Sequence, residues 1–312
     1  MAVPDPLFGV VASLGELVAT RPRVSGGFAS GGKVRAYQYG GHRSAYRGRG
    51  MEFEEVRAYH PGDDIRTIDW RVTARTGRTH TKLFQEERER PVLILVDARG
   101  AMRFGTRACF KSVLAARAAA LLAWVGIAGG DRVGGLVLAP SGITAFKPER
   151  SRRRILGFVK RVAEATAEPA GGAEPRFSEA LLRLRPMVRP GTLVFLISDF
   201  SDLDAAAVRE VEHLSLRGEV KALLVFDTLE TSLPTSGVYP VSDGVSVARL
   251  EVGRPRARAA YAALFAQRRE KVESLCRERG MAFLALDTAE DPADILHPGR
   301  LRARAAGTRP AA

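Results

Sequence analysis

Two short, wholly apolar runs that each stop at an acid constrain this chain most: Pro91–Val96 (PVLILV) before Asp97, and Thr192–Ile197 (TLVFLI) before Ser198-Asp199. A strand buried on both faces reads as a continuous apolar run, whereas a half-exposed strand alternates. Similar runs at 220–226 and 281–286 end at Asp227 and Asp287. Between them lie stretches with apolar residues at helical spacing: 106–128, 149–166, 177–185, 204–217 and 255–279. Residues 132–138 read as a further strand, with a hairpin partner at 143–146, and 237–251 as an extended excursion. Strands alternating with helices predict an α/β fold, a doubly wound and mostly parallel sheet.

In such a sheet, ligands gather outside the carboxyl ends of the strands. Asp227 and Asp287 are expected to cap the helices that follow them. Asp97 and Asp199 follow the two most apolar strands and are expected side by side near the middle of the sheet. Two like charges there need a neutralising partner.

The segment before the sheet has another texture. Leu7, Phe8, Val11, Leu14, Leu17 and Val18 predict a short amphipathic helix over 5–20, and 25–50 is rich in Gly, Arg and Tyr, a glycine-jointed extension of loops or edge strands. The expected organisation is therefore 1–50 as helix and Gly/Arg-rich segment, 51–90 as a charged segment, 91–298 as the α/β domain and 299–312 as a tail.

Composition excludes several classes. With 48 Lys and Arg against 35 Asp and Glu, the net charge is +13, which favours anionic partners. Only seven of the basic residues are Lys, and no basic run reaches five. A nucleic-acid binder is thus the alternative rather than the main expectation. The two cysteines, Cys109 and Cys276, lie far apart within helical patterns, so neither a disulfide framework nor a cysteine metal site is expected. The opening residues MAVPDPLFGV contain no basic residue, so no secretory signal is expected, and the longest apolar stretch, from Ala118 to Gly130, falls short of the roughly 18–20 residues of a membrane span. A cytoplasmic protein is expected, with peripheral membrane contact as the most that a membrane would see of it. No GxxxxGK[ST] phosphate loop and no GxSxG elbow occurs, and the five histidines show no ligand spacing. A metal-dependent nuclease built on Asp63, Asp64, Asp69 and Glu86 is the remaining enzymatic alternative.

Two motifs carry a resemblance. The string Asp97-Ala98-Arg99-Gly100-Ala101 resembles the start of a von Willebrand factor A domain, whose metal-ion-dependent adhesion site opens with DxSxS; Arg99 and Ala101 replace both serines. The family's second-loop threonine falls nearest Pro175, and its third element matches Ile197-Ser198-Asp199. The resemblance implies a degenerate metal or adhesion site at Asp97, Arg99, Ala101 and Asp199. There the Arg99 guanidinium is expected to take the cation's place and bridge Asp97 and Asp199. A weak Mg²⁺ on Asp97 and Asp199 is the alternative, and no other cofactor is expected.

Residues 51–90 are similar to the signature of the bacterial domain-of-unknown-function family fifty-eight, through Phe53, Arg57, Tyr59, Pro61-Gly62-Asp63-Asp64, Arg66, Ile68-Asp69-Trp70, Ala74-Arg75, Lys82 and Glu87-Arg88. The likeness continues through Phe104-Gly105, Lys111, Asp131-Arg132-Val133-Gly134, Ser198-Asp199-Phe200 and Asp227-Thr228-Leu229-Glu230. The interleaved charges of 51–90 predict an ion-pair network with Trp70 as its apolar anchor, or else a docking surface for a partner. The resemblance implies a non-catalytic adaptor or chaperone partner of a MoxR-type AAA+ ATPase. Its task would be assembly of, or metal insertion into, a client protein, with a methanol-oxidation-type system as one example.

Overall fold

A computed structural model of the chain describes residues 7–20, 28, 51–60, 65–86, 90–169, 171–242 and 246–296. In chain order the elements are helix α1 (Leu14–Ala19), strand β1 (Met51–Ala58), α2 (Trp70–Thr76), β2 (His80–Glu86), β3 (Pro91–Asp97), α3 (Lys111–Ala128), β4 (Arg132–Ala139), β5 (Gly142–Glu149), α4 (Arg152–Ala167) and α5 (Phe177–Leu184). There follow β6 (Thr192–Ser198), α6 (Ala205–Ser215), β7 (Gly218–Phe226), α7 (Thr228–Thr231), β8 (Val238–Ser242), β9 (Val247–Glu251), α8 (Pro255–Glu278), β10 (Ala282–Asp287) and α9 (Pro292–Ile295). The chain divides into two compact units, one made of 1–31 and 90–312, the other of 32–89.

In the larger unit, six strands lie in the order β10-β7-β6-β3-β4-β5. All neighbours are parallel except β5, which returns beside β4 as an antiparallel hairpin. This is the doubly wound, mostly parallel sheet that the apolar runs predict. Winding starts at β3, moves outward to β5, then jumps back to β6 and proceeds the other way. The switch point therefore lies between β3 and β6, where side chains at the strand ends border a crevice that no crossover helix covers.

Alternate residues of each strand feed opposite layers, which is why the runs had to be apolar throughout. Val92, Ile94, Val96, Val137, Phe195 and Ile197 pack toward α3 and α4, while Leu93, Leu95, Leu136, Val194 and Leu196 pack with residues of α5, α6 and α8. Helix α3 has no amphipathic stripe, because it is buried nearly all round. By length and composition α3 is the one described helix able to cross a membrane, and 83% of its apolar window lies inside the body. The expectation that every apolar stretch is too short for a span is corrected to that extent: the helix begins at Lys111, earlier than the stretch starting at Ala118.

The N-terminal boundary also needs correction. Helix α1 belongs with the sheet unit, not with a separate segment ending at 50. Trp124 Nε1 donates to the Leu17 carbonyl, Ala12 N donates to Thr166 Oγ1, and Arg117 pairs with Glu16. The described helix covers only Leu14–Ala19, capped by Ser13, with a turn before it. Phe28 lies against Phe195, ring centroids 5.2 Å apart. The rest of the Gly/Arg-rich extension and the tail 299–312 lie outside the described residues. Cys109 sits in the loop before α3, not in a helix; both cysteines are buried and unpaired as a disulfide.

In the smaller unit, β1 and β2 form an antiparallel pair, with a register irregularity between Phe53 and Glu55. Helix α2 stands before β2 and ends at Gly77 with φ 70°, the left-handed conformation that a glycine adopts at least cost. Thr73 Oγ1 accepts from His80 N, and Asp69 N donates to the His80 carbonyl, fastening the helix start to the strand.

Among the described residues, two buried side-chain atoms have no hydrogen-bond partner, Ser112 Oγ and Asp131 Oδ2, and the second belongs to a carboxyl group. Asp131, just before β4, is buried and its Oδ2 has no hydrogen-bond partner. Burial pushes its carboxyl from 3.8 up to about 6, against the opposing pull of Arg90. Between those values the folded chain holds a proton that the unfolded chain has released, so this group's contribution to stability falls as pH rises from about 4 to about 6. Asp131→Asn is expected to flatten that slope and to raise stability near pH 7 by about 1–2 kcal/mol. Urea unfolding near pH 4 and near pH 7 measures it; a variant with the slope of the parent would refute the assignment.

Candidate functional site

The register of the sheet assembles the site. Val96 pairs with Ile197, so the next residues, Asp97 and Ser198, face each other across the switch point, and Ser198 Oγ donates to Asp97 Oδ2 at 2.8 Å. Asp97 is wholly buried and Asp199 is 1% exposed. Beyond β6 the chain turns sharply: Phe200 has φ 53°, its N–H donates to Ser198 Oγ, and Ser201 N donates to Asp199 Oδ1. A phenylalanine in the left-handed region costs of order 1 kcal/mol or more. Its ring is buried edge-on against Phe177, centroids 5.5 Å apart, and that packing offsets the cost.

Arg99 fills the space in front of Asp97. Its Nε and Nη2 donate to Asp97 Oδ1 and Oδ2 at 3.0 and 2.7 Å. Nη2 also donates to Asp202 Oδ1 at 2.8 Å, and Nη1 donates to Asp202 Oδ2 at 2.6 Å and to the Pro175 carbonyl at 3.1 Å. A guanidinium has five N–H donors, and each one meets its own oxygen. Asp202 further accepts from Phe177 N, and Glu174 accepts from Gly100 N. The arginine is where the sequence predicts a cation, but its second acid is Asp202, not Asp199. Pro175 takes part through its backbone carbonyl, which needs no hydroxyl side chain. Ala101 lies exposed on a 3₁₀ turn over Gly100–Met102 and offers no ligand atom.

Asp199 is held instead by Lys111, the first residue of α3. Lys111 is 2% exposed; its Nζ donates to Asp199 Oδ2 at 2.7 Å and to Glu230 Oε1 at 3.2 Å. Arg268 on α8 closes the square, at 3.2 Å from Glu230 and 3.7 Å from Asp199. Lys111 reaches this spot because the loop before it folds tightly: Lys111 N donates to the Phe104 carbonyl, and a side chain on Gly105 would meet the Cys109 carbonyl oxygen at 2.1 Å. That loop also displaces the helix start from the expected residue 106 to 111.

Next along, Asp227 caps α7, as predicted, and does more. It accepts from Thr106 N and Oγ1 and from Thr288 Oγ1, tying the tips of β3, β7 and β10 together. Asp287 is corrected: it accepts from Ala289 N and from Thr228 Oγ1, while the following helix α9 is capped by Asp291. A turn intervenes, so Asp287 is too far from the helix to cap it.

Sequence reasoning thus placed Asp97, Arg99 and Asp199 in the site and missed Asp202, Ser198, Lys111, Glu230 and Arg268 as its partners. Lys111, Ser198 and Glu230 stood among the residues carrying the family likeness, a signal without geometry. Arg268 and Asp202 had none.

The electrostatics are those of a neutralised cluster. Burial raises the Asp97 carboxyl, more than the Arg99 fork and Ser198 lower it. Burial acts on Asp202 too, but hydrogen bonds from Arg99 and Phe177 N outweigh it and hold that carboxyl below its ordinary value. Asp227 is likewise lowered, its burial outweighed by Thr288 and Thr106. Among the described residues, no group of three or more His, Cys, Asp and Glu converges as metal ligands would. The oxygens of Asp97 point at Arg99 and those of Asp199 at Lys111 and Ser201.

The charged segment is a different kind of surface. Asp69 caps α2, accepting from Arg71 N at 3.0 Å and Val72 N at 3.1 Å. Trp70 is not an apolar anchor: as the first residue of α2 it stands 68% exposed. Arg75 lies exposed in the last turn of that helix, where a cation is favoured. Arg66 is exposed on a 3₁₀ turn over Ile65–Thr67, Arg57 Nη1 donates to the Ala58 carbonyl, and Tyr59 N donates to the Thr79 carbonyl. Gly62, Asp63 and Asp64 lie outside the described residues.

Removing one member of a buried ion set leaves its partners uncompensated. Lys111→Met is expected to destabilise the chain by about 3–5 kcal/mol, and Lys111→Met with Asp199→Asn by clearly less. Chemical denaturation of both variants checks this; equal losses would mean that Lys111 and Asp199 are not coupled.

With this geometry established, comparison with known proteins gives a consistent answer. The family described as "Protein of unknown function DUF58" matches residues 55–271. Uncharacterized proteins of Mycobacterium bovis and Mycobacterium tuberculosis are each 32% identical over 260 residues, covering 83% of this chain and 81% of the relative. Among solved structures, BatB from Bacteroides thetaiotaomicron is similar with TM-score 0.39 and 13% identity, over 70% of this chain and 98% of that one. The SpRpn10 VWA domain gives TM-score 0.37 and 8% identity, over 68% and 98%. On the span of the family match and on the mycobacterial relatives, this chain belongs to the DUF58 family.

Proposed function

We propose that the protein is a non-catalytic binding module, an adaptor or chaperone partner that works beside a MoxR-type AAA+ ATPase in the cytoplasm and assists assembly of, or metal insertion into, a client protein. One observation carries this reading. At the switch point, where doubly wound folds bind and transform their ligands, the charged side chains are spent on one another: Arg99 on Asp97 and Asp202, Lys111 and Arg268 on Asp199 and Glu230. A general base needs a free acceptor within reach of a substrate proton, and a nucleophile needs a base beside it. Neither is offered by carboxylates already locked to cations. What such a network provides is a rigid rim of loops, suited to presenting a surface to another protein.

The smaller unit supplies a surface of the right kind. Trp70, exposed on the same short helix as Arg71 and Arg75, gives this surface the residue types of an interface hot spot. The resemblance to family members that accompany MoxR-type ATPases supports the choice of partner, and the +13 charge supports an acidic client or ATPase surface. The same charge, together with the Gly-, Arg- and Tyr-rich segment 26–49, supports the alternative, a nucleic-acid binder.

The test uses a MoxR-type AAA+ ATPase from the same organism. Co-elution of the two purified proteins on size exclusion is expected, with ATP turnover changed at least roughly twofold and both effects weakened roughly tenfold by Trp70→Ala, a hot-spot loss. Independent elution with unchanged turnover, together with a steeply salt-dependent gel shift on DNA or RNA, would replace this reading by the alternative.

A further inference from the structure

The acids at the switch point and the resemblance to a metal-dependent adhesion site raise the question of what cation these loops are built around. Arg99 is 6% exposed and gives one N–H to each of five separate oxygens: Asp97 Oδ1 and Oδ2, Asp202 Oδ1 and Oδ2, and the carbonyl of Pro175. These N···O distances run from 2.6 to 3.1 Å. A guanidinium C–N bond adds about 1.3 Å, so the oxygens stand roughly 4 Å from the guanidinium carbon. Mg²⁺ binds oxygen at about 2.0–2.1 Å and Ca²⁺ at about 2.3–2.6 Å. A divalent ion at the centre would find every protein oxygen more than about 1 Å too far.

Charge alone favours the metal, since two carboxylates face a single positive charge. Geometry opposes it, and the loops are not free to contract. Ser198 holds Asp97, Phe177 N holds Asp202, and Gly100 N is fastened to Glu174 on the segment that carries Pro175. Closing the ring onto a small ion would break those bonds.

We propose that this cage is dimensioned for a planar guanidinium group, so that Arg99 is the resident structural cation and divalent ions do not substitute for it. The side chain thereby joins three loops, those after β3, before α5 and after β6, as a metal would, but from within the chain and independently of metal supply. The inference concerns the cage and stands apart from the identity of any ATPase partner.

Chemical rescue tests it. In the full chain, neither EDTA nor about 1 mM Mn²⁺ or Mg²⁺ is expected to move the thermal midpoint, since an ion that binds only the folded state would raise it. Arg99→Ala is expected to melt roughly 10 °C lower. About 10 mM guanidinium, well below denaturing levels, is expected to restore several degrees, where sodium chloride and Mn²⁺ at equal ionic strength restore none. Arg99→Lys, which keeps the charge but not the fork, is expected to remain destabilised. Recovery of Arg99→Ala by Mn²⁺ and not by guanidinium would overturn the proposal. If Arg99→Ala yields no folded protein, electron paramagnetic resonance of Mn²⁺ added to the parent chain decides. Free Mn²⁺ signal throughout is expected, and uptake at this site with a Kd below about 100 μM, lost in Asp202→Asn, would sink it.

Discussion

A parallel sheet wound in two directions brings the carboxyl ends of its central strands together, and in this chain both ends carry an acid. Asp97 and Asp199 are buried almost completely, and a buried carboxylate without a cation is among the costliest groups a fold can carry. Everything around the switch point answers that constraint. Arg99 arrives from the turn after β3, Lys111 from the start of α3, Arg268 from the middle of α8. Each cation is shared with a second acid, Asp202 or Glu230, so the solution is a chain of alternating charges and not a set of isolated pairs.

The consequence is mechanical as well as electrostatic. Five separate loops meet in this network: those after β3, β6, β7 and β10, and the one before α5. Asp227 alone gathers Thr106, Leu229 and Thr288. Loops in α/β folds are usually the mobile, substrate-handling part of the molecule. Here they are fastened to one another by charge-assisted hydrogen bonds, which are shorter and stronger than neutral ones. The proposed binding role rests on a rim of that kind, since general acid–base catalysis needs groups left free to change protonation.

The smaller unit follows another logic. Its hairpin and short helix are joined by backbone and threonine hydrogen bonds around Asp69, Thr73 and Thr81, and it presents Trp70 and several arginines outward. The reading of Trp70 as an apolar anchor erred because the alternation of charges along a sequence does not say which side chains turn inward. In a unit this small, the helix cap took the acid and left the tryptophan outside.

Much of this was legible in the residues themselves. Continuous apolar runs of strand length fixed which strands are buried on both faces, and the acids after them marked the strand ends, since period, burial and a polar stop are local properties of a chain. Arg99, two residues from Asp97, was placed correctly because so short a separation leaves it little else to reach. Its second partner was not, and neither were Lys111, Glu230 and Arg268. Asp202 lies 103 residues from Arg99, and Asp199 lies 88 from Lys111. Which of several acids a cation meets is decided by strand order and by the path of each loop, and only the folded sheet, with β6 seated beside β3, sets those distances.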